Sequence, residues 1–361
     1  MENNKQPLNS KEKDLLKIIQ SLISVILLFV FSIVVVLVFF IYQPDFSSWF
    51  GENEEEKKSE QSVNGITEST PQVPQDDFWK PALITDDLSP EIKAQIEYGK
   101  ELIVHTSKYL GPKGSVKPIS NGMNCQNCHL DAGTKPWGNN YGAVFSTYPK
   151  YRARSGSKED LTKRVNDCFE RSLNGKPLKE DSKEMIAIKA YIEFIGKEVP
   201  KGEKPKGSGI YDLAFLDRPI DPIKGKVLYE GKCQTCHQAN GEGQMNADGT
   251  EYLFPPLWGK NSYNHGAGLY RMSRMAGYIR YNMPQGASFA NPQLTDEEAW
   301  DIAAYINSQV RPTKSLKNDW PKIEEKPFDH PFGPFADKFS EAEHKFGPYQ
   351  PIVDAKKQNK K

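Results

Sequence analysis

Two pentapeptides of the form Cys-x-x-Cys-His constrain this 361-residue chain more than any other feature. Two thiols three residues apart, followed at once by an imidazole, are the attachment signature of c-type haem. The thiols bind the two vinyl groups and the imidazole ligates the iron. The sequence therefore predicts two covalently attached haem c groups. The residues concerned are Cys125, Cys128 and His129 for one group and Cys233, Cys236 and His237 for the other.

Two other uses of paired cysteines fit the sequence less well. A zinc ribbon needs its Cys-x-x-Cys pairs about 15–20 residues apart. Here Cys125 and Cys233 are 108 positions apart, and an adjacent histidine follows each pair. A thioredoxin-like dithiol needs a βαβ context, and the sequence has no sustained alternation of apolar and polar residues.

The haem motifs lie within a longer internal repeat. A Gly-Lys pair precedes each motif, at Gly99 and Gly225, and an Ala-Tyr-Ile triplet follows each, at Tyr191 and Tyr305. Cap signals predict helices that start after Ser89 and after Thr295. We therefore expect an all-α fold of two tandem domains, which resemble class I cytochromes c and follow one transmembrane helix.

The predicted transmembrane helix lies near the N-terminus. No charged residue occurs from Ile18 to Pro44, a length that exceeds the hydrocarbon core of a bilayer. No alanine precedes Ala82, so a typical signal-peptide cleavage site is missing and we expect a retained anchor. Lysines before the span and glutamates after it predict a single-pass protein of the cytoplasmic (inner) membrane, with its N-terminus inside and its haem domains on the periplasmic side.

The predicted domain organisation follows from these features. The ranges are 1–17 for a cytoplasmic N-terminus, 18–43 for the anchor, 44–80 for a flexible linker, 81–215 for the N-terminal haem domain, and 216–361 for the C-terminal haem domain with a wrapping tail. Basic and acidic residues number 47 each, which argues against nucleic-acid binding through bulk charge.

The second ligand of each iron is predicted to differ between the domains. Met283, in an Asn-Met-Pro segment, resembles the distal ligand of class I cytochromes c. Met272 and Met275 are interpreted as packing at the haem edge. The first domain has no methionine in the corresponding place but has Cys168, the fifth cysteine.

The surroundings of Cys168 favour a functional thiol over a buried, inert one. Arg164, Cys168 and Ser172 follow one another at four-residue intervals, which places them on one helical face. Arg152, Arg154 and Arg171 are near in sequence. Cations favour a thiolate, the form that ligates iron, and a group of guanidinium ions suits a small oxyanion.

Together these features resemble the dihaem thiosulfate dehydrogenases that form tetrathionate, and the resemblance extends from about Asp77 onward. The segments that carry it are Tyr151–Gly156, Arg164–Gly175, Pro255–Gly259, Gly266–Gly268 and Asp319–Pro321.

The resemblance implies ligands and catalytic residues. It assigns His129 and Cys168 to the first, catalytic haem, and His237 and Met283 to the second, electron-transfer haem. It assigns Arg154, Arg164 and Ser172, with Cys168, to the binding and oxidation of thiosulfate. Some members have a lysine before the distal methionine, where this chain has Asn282, so a Lys/Met ligand exchange is not expected.

The expected activity is the coupling of two thiosulfate ions to tetrathionate, with the reverse reaction left open. Electrons would pass to the second haem and on to a redox partner, namely a small cytochrome, an oxidase or a quinol-linked complex. The alternative is a membrane-tethered dihaem electron carrier without its own substrate. A dihaem peroxidase is less favoured because His105, His265, His330 and His344 form no acid–base constellation and are interpreted as surface or packing residues.

Overall fold

A computed structural model describes residues 10–42 and 77–358, which belong to two separate units. Residues 1–9 of the predicted cytoplasmic N-terminus lie outside the described residues. So do residue 43 of the predicted anchor, residues 44–76 of the predicted linker, and residues 359–361. The first unit is one helix, α1 (Ser10–Tyr42). Its stretch Lys17–Val35 has a mean hydropathy of 2.8. This length and composition suit a membrane span and suit a signal sequence equally well.

The first haem lobe is mostly helical. Its helices and strands are α2 (Pro90–Val104), α3 (Thr106–Leu110), α4 (Leu130–Gly133), α5 (Val144–Thr147), β1 (Lys150–Arg152), β2 (Ser157–Glu159), α6 (Leu161–Asp167) and α7 (Lys183–Ile195). The two strands form an antiparallel hairpin in which Lys150 lies opposite Glu159.

The second lobe repeats this plan and adds a tail. Its elements are α8 (Pro222–Lys232), α9 (Gln234–His237), β3 (Gln244–Met245), β4 (Tyr252–Phe254), α10 (Met272–Asn282) and α11 (Asp296–Ser308), with α12 (Glu341–Phe346) and α13 (Tyr349–Gln358) in the tail. Among the described residues, strands occur only in these two short hairpins, so the all-α prediction is confirmed.

The predicted helix starts are confirmed by their caps. The Ser89 hydroxyl accepts a hydrogen bond from the backbone N of Ile92, and Pro90 occupies the first helical position. At α11, Thr295 and Glu298 form a reciprocal capping box. Each cap satisfies donors that the first helical turn leaves unpaired.

The repeated glycines explain how each lobe is built. A Cβ on Gly99 would lie 2.0 Å from the carbonyl oxygen of Ala187, and one on Gly225 would lie 1.9 Å from that of Asp301. Only glycine therefore permits α2 to cross α7, and α8 to cross α11, at this distance. Tyr191 and Tyr305 pack beside the two crossings. Both lobes therefore contain the same helix crossing, as expected from the duplicated sequence.

The two lobes contact each other through buried polar groups. The Tyr278 hydroxyl on α10 donates to the carbonyl oxygen of Asn127, within the first haem motif, at 3.0 Å. The Ser107 hydroxyl donates to the carbonyl oxygen of Thr250 at 2.7 Å. Hydrogen bonds at buried positions specify one arrangement, because an unpaired buried group is costly. The first haem motif is thus held against the second lobe.

Candidate functional site: two haem cradles and an arginine-lined cavity

The first haem motif starts in a 3-10 turn that neighbouring side chains hold in place. The turn is Cys125–Asn127, and Asn124 forms a reciprocal cap with Asn127. The Thr106 hydroxyl accepts a hydrogen bond from the backbone N of Cys125 at 2.9 Å and donates to the carbonyl oxygen of Leu102 at 2.7 Å. The junction of α2 and α3 therefore anchors the motif.

The two motif histidines share one tautomer. Nδ1 of His129 lies 2.5 Å from the carbonyl oxygen of Asn139, and Nδ1 of His237 lies 2.8 Å from that of Pro255. A carbonyl only accepts, so Nδ1 carries the proton and Nε2 keeps its lone pair for a metal. Burial lowers the pKa of His129 to about 4 and also lowers the pKa of His237. Both rings are therefore neutral at pH 7.

Each motif faces a cavity that also contains a further sulfur side chain. In the first lobe, Cys125, Cys128 and His129 line a cavity with Cys168. In the second lobe, the lining of a cavity of about 370 Å³ includes Cys233, Cys236, His237 and Met283. The other lining residues are largely apolar and include Ile103, Phe169 and Ile188 in the first cavity and Leu257, Met275 and Ile302 in the second.

These donor sets fit covalently attached haem. All five cysteines are unpaired thiols, and each motif presents two of them with a free imidazole nitrogen. Cys168 and Met283 are each able to supply the sixth ligand. Within the described residues, no three His, Cys, Asp or Glu side chains cluster to hold a free metal ion, so the zinc-ribbon alternative has no site.

Cys168 lies where the helix that carries it changes its winding. Helix α6 ends at Asp167 and continues as one turn of π-helix, Cys168–Ser172. Such turns are rare and often occur at functional sites. The four-residue spacing predicts a regular α-helix, which differs from this wider turn. Arg164, Cys168 and Ser172 nevertheless line one further cavity together, here called the arginine-lined cavity.

Arg164 is a cation that interacts electrostatically with the Cys168 side chain. This interaction with Cys168, the largest contribution, raises the pKa of Arg164 above its usual value, despite burial. The guanidinium of Arg164 forms no hydrogen bond or ion pair with any residue that the structure describes. An unpaired cation beside a thiol leaves its N–H donors free for an anion.

Arg154 differs, because a carboxylate from the tail already binds it. Nη1 of Arg154 lies 2.7 Å from Oδ2 of Asp319, and Arg171 donates to both oxygens of the same carboxylate at 2.9 and 3.0 Å. Burial and the charge of Arg171 lower the pKa of Arg154 to about 10, and Asp319 opposes that shift. The Trp320 ring lies 4.6 Å from the Arg154 guanidinium. The tail thus fixes Arg154 in position.

The cavity around these residues has a volume of about 460 Å³, and its lining includes residues for which the sequence pattern indicated no role in anion binding. The second lobe contributes Arg271 and Arg274, and the tail contributes Trp320 and His330. The nearest sequence signals were Met272 and Met275, interpreted as haem-edge packing, and the segments Gly266–Gly268 and Asp319–Pro321. His330 was interpreted as a surface or packing residue. It is buried against Trp320, at 4.8 Å between ring centroids, and also lines the cavity.

Comparison with known proteins supports this division into lobes. Residues 115–200 match the family model "SoxA/TsdA, cytochrome c domain", and residues 223–309 match the model "Cytochrome c". Each range contains one Cys-x-x-Cys-His pentapeptide. The prediction of two tandem cytochrome c domains with two covalent haem c groups is therefore confirmed.

Individual relatives agree with the family models. The thiosulfate dehydrogenase of Allochromatium vinosum is 40% identical over 218 residues, which cover 59% of this chain and 79% of the relative. That of Psychrobacter arcticus is 38% identical over 234 residues, covering 64% and 68%. A solved thiosulfate dehydrogenase (TsdBA) from Marichromatium purpuratum, in its "as isolated" form, superposes with a TM-score of 0.60 at 30% identity. The match covers 67% of this chain and about half, 51%, of that solved chain.

Proposed function

Because this chain belongs to the thiosulfate dehydrogenase family of dihaem c-type cytochromes, we propose that it oxidises two thiosulfate ions to one tetrathionate ion at Cys168. One observation carries the proposal: Cys168 lines a cavity together with His129 and the unpaired guanidinium of Arg164. A dihaem carrier without its own substrate has no need of such an anion-binding cavity.

Charge compensation is the first task of the site. Each thiosulfate carries two negative charges, so two of them repel each other strongly in a half-buried cavity. Arg164 offers free donors and Arg154 is oriented by Asp319, so both side chains can bind sulfonate oxygens. Ser172 lines the same wall and adds a hydroxyl donor. These groups also stabilise charge that shifts during the reaction.

The second requirement is a covalent bond between thiosulfate and the enzyme, which Cys168 forms. Its thiolate and the sulfane sulfur of one thiosulfate form an S–S bond and release two electrons. The sulfane sulfur of a second thiosulfate then attacks the sulfur bound to Cys168, forms the central S–S bond of tetrathionate and releases the Cys168 thiolate. Charge balances in each step, and no proton is needed.

Haem groups held by these lobes would supply one-electron redox chemistry, so the two electrons would be taken up one at a time. His129 and Cys168 would hold the first group, and His237 and Met283 the second. A thiolate ligand lowers a haem potential and a methionine ligand raises it, so these residues favour transfer from the first lobe to the second. The final acceptor would be a small cytochrome, an oxidase or a quinol-linked complex. Helix α1 would anchor the haem domains on the periplasmic face of the inner membrane.

Two assays on the purified holoprotein test this proposal. We expect thiosulfate-dependent reduction of ferricyanide with tetrathionate as product, at two electrons per tetrathionate. A tetrathionate reduction assay run alongside measures the reverse direction. If protein that carries both haem groups neither reduces ferricyanide with thiosulfate nor reduces tetrathionate, the proposal is wrong.

A further inference from the structure

The arginine-lined cavity is shared between the lobes. Among the described residues, its lining includes six arginines and one acidic residue, Asp167. Four arginines belong to the first lobe: Arg152, Arg154, Arg164 and Arg171. The other two, Arg271 and Arg274, lie at the start of α10 in the second lobe. The cavity therefore has two sets of cations carried by different lobes.

The two second-lobe arginines differ in how firmly they are fixed. Arg271 pairs with the fully buried Asp329 at 2.8 Å, and Asp329 also accepts from the backbone N of Ser273 at 3.0 Å. Arg271 is therefore held rigidly at the start of α10. Among the described residues, Arg274 forms an ion pair only with Asp212, at 2.6 Å, and the Asp212 side chain is 75% exposed. Such an exposed pair is weak, so Arg274 can turn its donors towards an anion in the cavity.

His330 supplies an independent sign of a ligand. The residue is 1% exposed and lines the cavity, yet its Nδ1 has no hydrogen-bond partner among the described residues. Burial, with the nearby charges of Arg154 and Arg271, holds the pKa of His330 well below its usual value. The imidazole is therefore neutral and interacts electrostatically with cations of both lobes, Arg154 and Arg271. A buried polar group without a protein partner usually bonds to a ligand or to water.

The chemistry of the proposed reaction requires a second anion site. Both thiosulfates must be present when the central S–S bond forms, and the product is a linear dianion with one sulfonate at each end. The first-lobe arginines near Cys168 account for one sulfonate. We propose that Arg271 and Arg274, together with His330, bind the sulfonate of the second thiosulfate and hence the distal end of tetrathionate. The identity of the ligand rests on the proposed function, whereas the subsite rests on the cavity.

A binding experiment with tetrathionate tests this subsite. The holoprotein with Cys168→Ser is used throughout, so that tetrathionate binds without reacting with the thiol. Isothermal titration calorimetry compares this background with the additional change Arg274→Gln. The matched control is Arg280→Gln, on the same helix, because Arg280 also pairs with one carboxylate, Asp296, at 2.6 Å but lies outside the cavity lining. Melting temperatures verify that each variant is folded.

We expect the Kd of tetrathionate to rise about tenfold with Arg274→Gln, the contribution of one charge-assisted hydrogen bond. The Arg280→Gln control should leave the Kd within about twofold. An unchanged Kd with Arg274→Gln, or an equal rise in both variants, would overturn the subsite and leave the proposed function intact. Failure of tetrathionate and thiosulfate to bind even the background protein would overturn both.

Discussion

Replacing Asp319 by Asn should destabilise the protein because it removes the shared counterion of two buried arginines. The Asp319 side chain is 10% exposed, and those of Arg154 and Arg171 are 15% and 12% exposed. Removing one partner of a buried ion pair costs about 3–5 kcal/mol. Asparagine keeps one acceptor oxygen, so we expect a loss near the lower limit, about 3 kcal/mol.

Thermal unfolding of the holoprotein measures this loss. For the roughly 280 residues of the second unit, the unfolding entropy is about 0.6 kcal/mol per kelvin, so about 3 kcal/mol lowers the Tm by about 5 °C. Asp86→Asn is the control: Asp86 pairs with Lys93 at the same distance, 2.7 Å, but its side chain is 99% exposed. We expect no measurable shift there. A Tm of Asp319→Asn within 1 °C of wild type would refute the assigned role of the tail carboxylate.

Three further predictions concern Arg164, the second haem and the helix crossing within the second lobe. Arg164→Gln should lower kcat/KM for thiosulfate about 100-fold. The Tm should not fall, because no residue of the described chain pairs with this guanidinium. A loss of activity accompanied by a clear fall in Tm would instead indicate a structural role. Met283→Gly should remove the low-spin His/Met signature of the second haem from the reduced spectrum and leave the first haem unchanged, and retention of that signature would contradict the assignment. Gly225→Ala should cost at least about 2 kcal/mol in a denaturation experiment, since its Cβ would meet the carbonyl of Asp301. Gly231→Ala on the same helix has open space around it and should not destabilise the protein.

The parts of the fold that local sequence determines could be predicted. The haem motifs, the caps at Ser89 and Thr295, and the repeated Gly-Lys and Ala-Tyr-Ile segments all involve neighbouring residues or repeated patterns. The repeated glycine indicates a steric requirement that both lobes share, because a Cβ at Gly99 or at Gly225 would clash with a backbone carbonyl of the crossing helix.

The counterions of the cavity could not be predicted in the same way. Asp319 lies 165 positions after Arg154, and Asp329 lies 58 after Arg271. Forty-seven acidic residues were available as partners, and charge alone does not choose among them. The contribution of the second lobe to the cavity follows from how the lobes pack, which no local pattern encodes. The π-turn at Cys168 also escapes prediction, since its residues would form an ordinary helix elsewhere.

The central claim is that Cys168 is the residue at which thiosulfate is oxidised. Its most direct test is the rate of thiosulfate-dependent ferricyanide reduction by Cys168→Ala, measured on protein that carries both haem groups and has a wild-type Tm. Without the thiolate no S–S bond forms with the sulfane sulfur, so the account predicts a fall of about 1000-fold or more. Thiosulfate oxidation at near wild-type rate in this variant would contradict the account.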